Sequence, residues 1–407
     1  MKPLSDVKVL DLSRILAGPL VGQMLGDLGA EVIKIERPRR GDDGRGFGPP
    51  FLKTADGKDS PESTFYLSAN RNKKSVTVDI ATPAGQEIVR KFAVISDVLI
   101  ENYKVGTLAR YGLDKESLTK LNPKLIYLSI TGFGQSGPYS HRPGYDAVFQ
   151  GMGGLMSVNG EPDDVPGGGP MKVGPSIADV LSSLYATVGV LSALYHRDMH
   201  KAAGQGIDMA LMDCVVASLS HYAQQYLVTG EPPMRRGTQG NGGVPSQMFR
   251  CADGAIMMTA GNSEQYVKFV EVLGRADLAT DARFVTNSLR VQNRKVLSAL
   301  LEELAMKWKM GDLLEALENA GVPAGPINDL RQVFEDPQVR HREMSVTAPH
   351  PMSGSLKLVG NPIKLSDTPI DRYDAPPLLG GNTREVLSAS LGYTDNHLDE
   401  LARSNVI

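Results

Sequence analysis

Val7-Lys8-Val9-Leu10-Asp11-Leu12 and Glu31-Val32-Ile33-Lys34-Ile35-Glu36 decide the fold. Each is a short run of β-branched and aliphatic residues, the composition of a strand covered on both faces. Between them, Leu20 to Leu28 is a Gly- and Leu-rich segment of helical length. Strand, helix and strand within ~30 residues make a βαβ unit, whose two strands run parallel. The alternation continues outward. Ser75 to Ile80 reads as a strand, Pro83 to Ile95 as a helix and Asp97 to Glu101 as a strand. Lys115 to Leu121 then reads as a short helix and Leu125 to Ile130 as a strand. Such spacing implies an α/β domain around a parallel sheet. Two long helices are expected next, Ser176 to Arg197 and Asp208 to Val228. The Gly/Pro-rich stretch from Gly230 to Pro245 marks a boundary, and Gly321-Val322-Pro323-Ala324-Gly325-Pro326 marks a second. Between them a hairpin (Gln247 to Cys251 with Ala255 to Ala260) and three helices describe a smaller α+β domain.

The turn after the first strand, Leu16-Ala17-Gly18-Pro19-Leu20-Val21-Gly22, is not the G-x-G-x-x-G of dinucleotide-binding folds. Nicotinamide or flavin is therefore not expected. A net charge of -3 gives no basic field for a nucleic acid. Basic residues gather at Arg37-Pro38-Arg39-Arg40 and Arg71-Asn72-Lys73-Lys74, patches suited to a small polyanion. Two cysteines without a CxxC spacing fit a reducing compartment and no zinc site. No permanent cofactor, metal or membrane partner is expected, and the expected location is cytoplasmic.

Asp179 stands in Gly174-Pro175-Ser176-Ile177-Ala178-Asp179, just before the small and apolar run Val180 to Tyr195. That places a carboxylate in the first turn of a buried helix, with Ser176 as a plausible N-cap. The helix N-terminus favours the ionised form, and a positioned carboxylate can attack an activated acyl group. On these residues alone a helix-capping role is the commoner explanation.

Several stretches, in order along the chain, resemble the class III CoA-transferases, the CaiB/BaiF group. They are Val9 to Pro19, Leu28 to Arg37, Asn70 to Ser75 and Asp97 to Tyr103. They continue with Ser129 to Gly134, Pro143-Gly144-Tyr145-Asp146, Ala178-Asp179 and Gly204-Gln205-Gly206. The resemblance implies a large Rossmann-like domain built from residues 1–228 and 326–407, with 229–325 as a smaller inserted domain. It also implies a homodimer interlocked like linked rings. Asp179 is then the catalytic nucleophile, carrying the acyl group as a mixed anhydride and CoA as an aspartyl thioester. Arg14, Ile15, Arg37, Lys73, Lys74, Asn102, Tyr103 and Arg110 become expected CoA contacts. Leu16, Arg142, Tyr145, Gly242 and Gly243 become expected substrate contacts, the two glycines as part of a closing loop.

The likeness is strongest to the subgroup that exchanges CoA between succinyl-CoA and glutarate. The expected substrates are thus an acyl-CoA and a carboxylic acid, most simply a dicarboxylate. The distal carboxylate of such an acid needs a cation, for which Arg14, Arg142, Arg235 and Arg236 are candidates. A related racemase branch uses the His of a Gly-His-Asp sequence as its base. Here the stretch is Gly144-Tyr145-Asp146, and a Tyr with a pKa near ~10 is a poor substitute. A non-catalytic CoA-binding protein is the remaining alternative, and the presence of Asp179 speaks against it.

Overall fold

The computed structural model describes residues 1–407. It divides into two units. The first comprises Met1–Leu155, Val173–Gln224 and Pro337–Ile407, and the second Met156–Lys172 and Gln225–Asp336. The second unit therefore includes a segment before Asp179 and extends past the expected boundary at 325.

The first unit is built on a six-stranded parallel sheet. Its strands are β1 (Lys8–Asp11), β2 (Glu31–Glu36), β3 (Lys73–Thr77), β4 (Val98–Glu101), β5 (Ile126–Thr131) and β6 (Gly206–Ala210). Their spatial order is β3-β2-β1-β4-β5-β6. The sequence runs outward from β1 in one direction and resumes at β4 in the other, so the order reverses between β1 and β4. In doubly wound sheets, ligands sit outside the carboxyl ends of the strands at such a switch point.

Alternate residues of each strand feed two cores. Val9, Val32, Val98, Ile100, Ile126, Leu128 and Ile130 face α1 (Ala17–Asp27) and the long helix described below. Leu10, Ile33, Ile35, Val76, Leu99 and Tyr127 face α2 (Pro83–Ile95) and α3 (Lys115–Leu121). Both helices of the second layer start on side-chain caps. Thr82 accepts from the Gly85 N–H and Asp114 from the Ser117 N–H.

After β5 come α4 (Asp146–Met152) and α5 (Ile177–His200). By length and composition α5 could cross a membrane. Its Ala178, Ala186, Val190, Ala193 and Leu194 instead pack into the sheet core, as in a central helix of a globular fold. The expected helix from Asp208 to Val228 is not continuous. Gly206–Ala210 forms β6, paired with β5 from Tyr127↔Gly206 to Thr131↔Ala210. Helices α6 (Leu211–Ser218) and α7 (His221–Thr229) follow. A free sheet edge beside β5 captured five residues whose own periodicity was ambiguous.

In the second unit, β7 (Ser246–Arg250), β8 (Ala255–Thr259) and β9 (Ala324–Pro326) form an antiparallel sheet. It is covered by α8 (Ser263–Val272), α9 (Arg294–Ala305) and α10 (Met310–Ala320). Its core contains Phe249, Phe269, Phe284, Leu297, Leu301 and Leu313. The chain then returns to the first unit. Helices α11 (Thr383–Leu391) and α12 (Asp395–Arg403) deliver Val386, Leu387, Leu398 and Leu401 to the core beside α2, and Val406 joins them from the segment after α12.

Candidate active site

Asp179 occupies the first turn of α5. Ser176 does not cap that helix: its φ of -73° and ψ of 69° lie outside the extended region that lets a side chain reach back. Asp146, the first residue of α4, does so from another element. It accepts the Ala178 N–H at 2.7 Å and the Gln150 Nε2–H at 2.6 Å. Gln150 in turn accepts the Val173 N–H at 2.8 Å.

Burial pushes the Asp179 carboxyl up to about 7, with repulsion from the Asp146 carboxylate adding to it. This corrects the expectation that the helix end alone keeps Asp179 ionised. A helix dipole stabilises a first-turn anion by only about 0.3–2 kcal/mol, and desolvation outweighs that here. The outcome is a half-buried carboxylate that titrates near neutrality, a state characteristic of reactive sites.

Asp179 lines a cleft of about 310 Å³ at the switch point of the sheet. One wall is Arg14 to Ala17, the loop between β1 and α1, and another is Asn102 to Val105, the loop after β4. Ser140 to Tyr145 closes a third side, and Ile130, Phe149 and Leu211 form an apolar surface. Phe149 is fully buried. A Cβ at Gly132 would lie 2.4 Å from its ring and one at Gly144 2.3 Å, so both positions exclude side chains. Thr131 Oγ1 also lines the cleft and is buried without a hydrogen-bond partner.

The two strand-end loops are tied together. Asn102 Oδ1 accepts the Arg14 N–H at 2.9 Å, and Asn102 Nδ2 donates to the Arg14 carbonyl at 2.6 Å. The Arg14 guanidinium pairs with Asp43 at 2.9 Å and lies 4.8 Å from the centre of the Tyr103 ring. Behind Arg14 a second cavity of about 530 Å³ is lined by Lys34, Arg37, Asp42, Tyr103, Lys104 and Tyr111, among others. A cleft that presents the Asp179 carboxyl beside an apolar surface, next to a cavity carrying Arg37 and Lys104, suits a thioester with an anionic tail.

A profile of CoA-transferase family III matches residues 4–383. The chain belongs to CoA-transferase family III. It is 44% identical to the succinate–glutarate CoA-transferase of Agrobacterium fabrum, over 95% of each chain. It is 41% identical to the succinyl-CoA:glutarate CoA-transferase of Homo sapiens, over 100% of this chain and 90% of that one. A crystal structure of a CaiB/BaiF family protein from Brucella suis superposes with a TM-score of 0.84 at 44% identity. It covers 96% of this chain and 99% of that one.

Within this family III fold the expected residues divide. Arg14, Ile15, Leu16, Asn102, Tyr103, Arg142, Tyr145 and Asp179 all line the Asp179 cleft. Arg142 stacks 3.9 Å from the centre of the Tyr139 ring, and Tyr145 is 70% exposed. Arg37 lines the adjoining cavity. Arg110 sits on the exposed turn Leu108–Tyr111 and lines neither.

Two expected CoA cations need correcting. Lys73 is fully buried, donating to Asp11 at 2.9 Å, to the Pro19 carbonyl at 2.8 Å and to Asn70 at 2.9 Å. All three ammonium donors are spent inside the fold. Lys74 pairs with Glu31 at 2.8 Å, where β2 begins, far along the strands from their carboxyl ends. Gly242 and Gly243 lie in the second unit, where the Gly242 carbonyl accepts from Asn287 Nδ2 at 3.0 Å. Arg235 and Arg236 also belong to that unit. Arg235 is paired with Asp163, and Arg236 donates to Asn241 at 3.3 Å.

Sequence reasoning missed Lys104, His141 and Phe149 as cleft residues and Asp146 as the partner of the Asp179 helix. Asp146 was within reach, since it follows a Pro-Gly turn and opens a helix, the ordinary setting of a capping carboxylate.

Proposed function

We propose that this enzyme moves CoA between succinyl-CoA and glutarate or a closely similar dicarboxylate, with Asp179 as the covalent carrier. The observation that carries the reading is a carboxylate titrating near neutrality in the switch-point cleft. The names of the Agrobacterium and human relatives support the choice of acids.

In the proposed cycle an Asp179 oxygen attacks the succinyl thioester carbonyl. The C–S bond breaks, giving a succinyl–aspartyl anhydride and CoA thiolate. The thiolate attacks the Asp179 acyl carbon and releases succinate, leaving aspartyl-CoA. A glutarate carboxylate then attacks the aspartyl thioester and expels thiolate again. The thiolate finally attacks the glutaryl carbonyl of the second anhydride, forming glutaryl-CoA and freeing Asp179. No proton is gained or lost overall. Each intermediate stays as activated as a thioester, so the path requires exclusion of water. Gly242 and Gly243 enter the proposal as the loop that provides it.

Arg37 and Lys104 are proposed to hold the anionic groups of CoA, because they line the cavity next to the cleft. Arg14 and Arg142 are the cations proposed for the distal carboxylate. The proposal includes a homodimer. Leu184, Tyr185, Val188, Tyr195 and Met199 are all exposed on one stretch of α5, an apolar surface of the kind that marks protein contact. A cytoplasmic location, in keeping with two unpaired cysteines, completes it.

The test is thioester exchange read by mass spectrometry, with succinyl-CoA and a panel of mono- and dicarboxylic acids. Glutaryl-CoA should form, and Asp179→Ala should abolish it while still binding CoA. Turnover by Asp179→Ala would sink the covalent route, and exchange confined to monocarboxylates would sink the substrate choice.

A further inference from the structure

Ile15 has a φ of 72°. A β-branched residue in the left-handed region is a genuine outlier, held there only when its surroundings over-determine it. The surroundings here are explicit. Asp42 Oδ1 accepts the Ile15 N–H at 2.9 Å and the Gly44 N–H at 2.8 Å. Its other oxygen pairs with Lys34 at 2.8 Å, and both side chains are sealed from solvent. Lys34 also donates to the Ser13 carbonyl at 2.8 Å, and the Ser13 N–H donates to Asp11 at 2.9 Å. With Asn102 on both polar groups of Arg14, the backbone from the Ser13 N–H to the Ile15 N–H is fixed entirely by side chains.

Burying an ion pair is costly and does little for stability by itself. Here it is spent on a strained turn whose Ile15 and Leu16 line the cleft. A strain-free residue at position 15 would serve the fold better. We propose that Asp42 and Lys34 are positioning residues for the transfer reaction. They hold Ile15 in its strained conformation so that Ile15 and Leu16 form the wall against the acyl-pantetheine arm of the bound thioester. This rests on the CoA-thioester reading of the cleft.

Two variants test it. Ile15→Asn accepts the left-handed conformation more readily and leaves the ion pair intact. Asp42→Asn keeps the shape but sets an amide against Lys34. KM and kcat for succinyl-CoA, the calorimetric dissociation constant of CoA, and the thermal midpoint are measured for each. A wall that contacts the arm throughout the reaction acts on binding, so KM and the dissociation constant should rise about fivefold or more with kcat little changed. Ile15→Asn should melt no lower than the wild type. Unchanged KM and CoA affinity in either variant overturns the proposal, as does a lower thermal midpoint for Ile15→Asn. A wild type that binds CoA but exchanges no thioester would refute the transfer reading instead, and the CoA dissociation constants would then decide this one.

Discussion

Replacing Asp179 by Asn should abolish turnover and, at the same time, stabilise the protein in a pH-dependent way. In the fold this carboxyl is lifted from 3.8 to about 7 by burial and by Asp146. The folded chain therefore holds a proton there more tightly than the unfolded chain does. Stability attributable to this group is intact below pH ~4, declines as pH rises toward 7, and is fully lost above that. At ~1.4 kcal/mol per pH unit the loss amounts to at most about 4.5 kcal/mol, and contact with solvent in the cleft reduces it to ~2–4. Asn is nearly isosteric and carries no such penalty. Thermal midpoints of the two proteins should coincide near pH 4 and separate by roughly 2–5 °C at pH 8, the variant melting higher. Other titrating groups are common to both and cancel in the difference. An offset that does not change between pH 4 and pH 8 would refute the argument, because it would mean that Asp179 titrates like an ordinary surface carboxylate.

Asp146→Asn removes the like charge while retaining an acceptor for the Ala178 N–H. The acidic limb of kcat/KM should move to lower pH, which a pH–rate profile reads directly. Lys73→Met removes the ion-pair partner of the buried Asp11 and should cost about 3–5 kcal/mol by denaturant unfolding, with CoA affinity of the folded fraction unchanged in titration calorimetry. Gly144→Ala drives a methyl into the Phe149 ring. It should destabilise by about 1–3 kcal/mol and lower kcat, whereas an exposed helical glycine such as Gly311, with open space around an added methyl, should tolerate the same change in both assays.

The parallel sheet was legible because strands buried on both faces are written as continuous apolar runs, and β2 begins and ends where its sequence suggests. The edge strand β6 was not, since what makes it a strand is the unsatisfied side of β5. Asp179 was legible as a first-turn carboxylate ahead of an apolar helix. Its charge state was not, because burial and a neighbour on α4 decide it. Lys73 shows the same limit from the other side. A basic cluster looks like surface until its partner, 62 residues away on β1, draws one member into the core.

The return of residues 337–407 to the first unit has a consequence for biosynthesis. The apolar face formed by Ile88, Val89 and Phe92 is completed by Leu398, Leu401 and Val406 at the very end of the chain. Roughly 300 residues must leave the ribosome in between, which at about 5–20 residues per second is some 15–60 s. During that interval the second unit can form its own core and finish folding, while the older part of the polypeptide waits with an open hydrophobic seam. Until those residues emerge, the nascent chain keeps this apolar seam exposed to water.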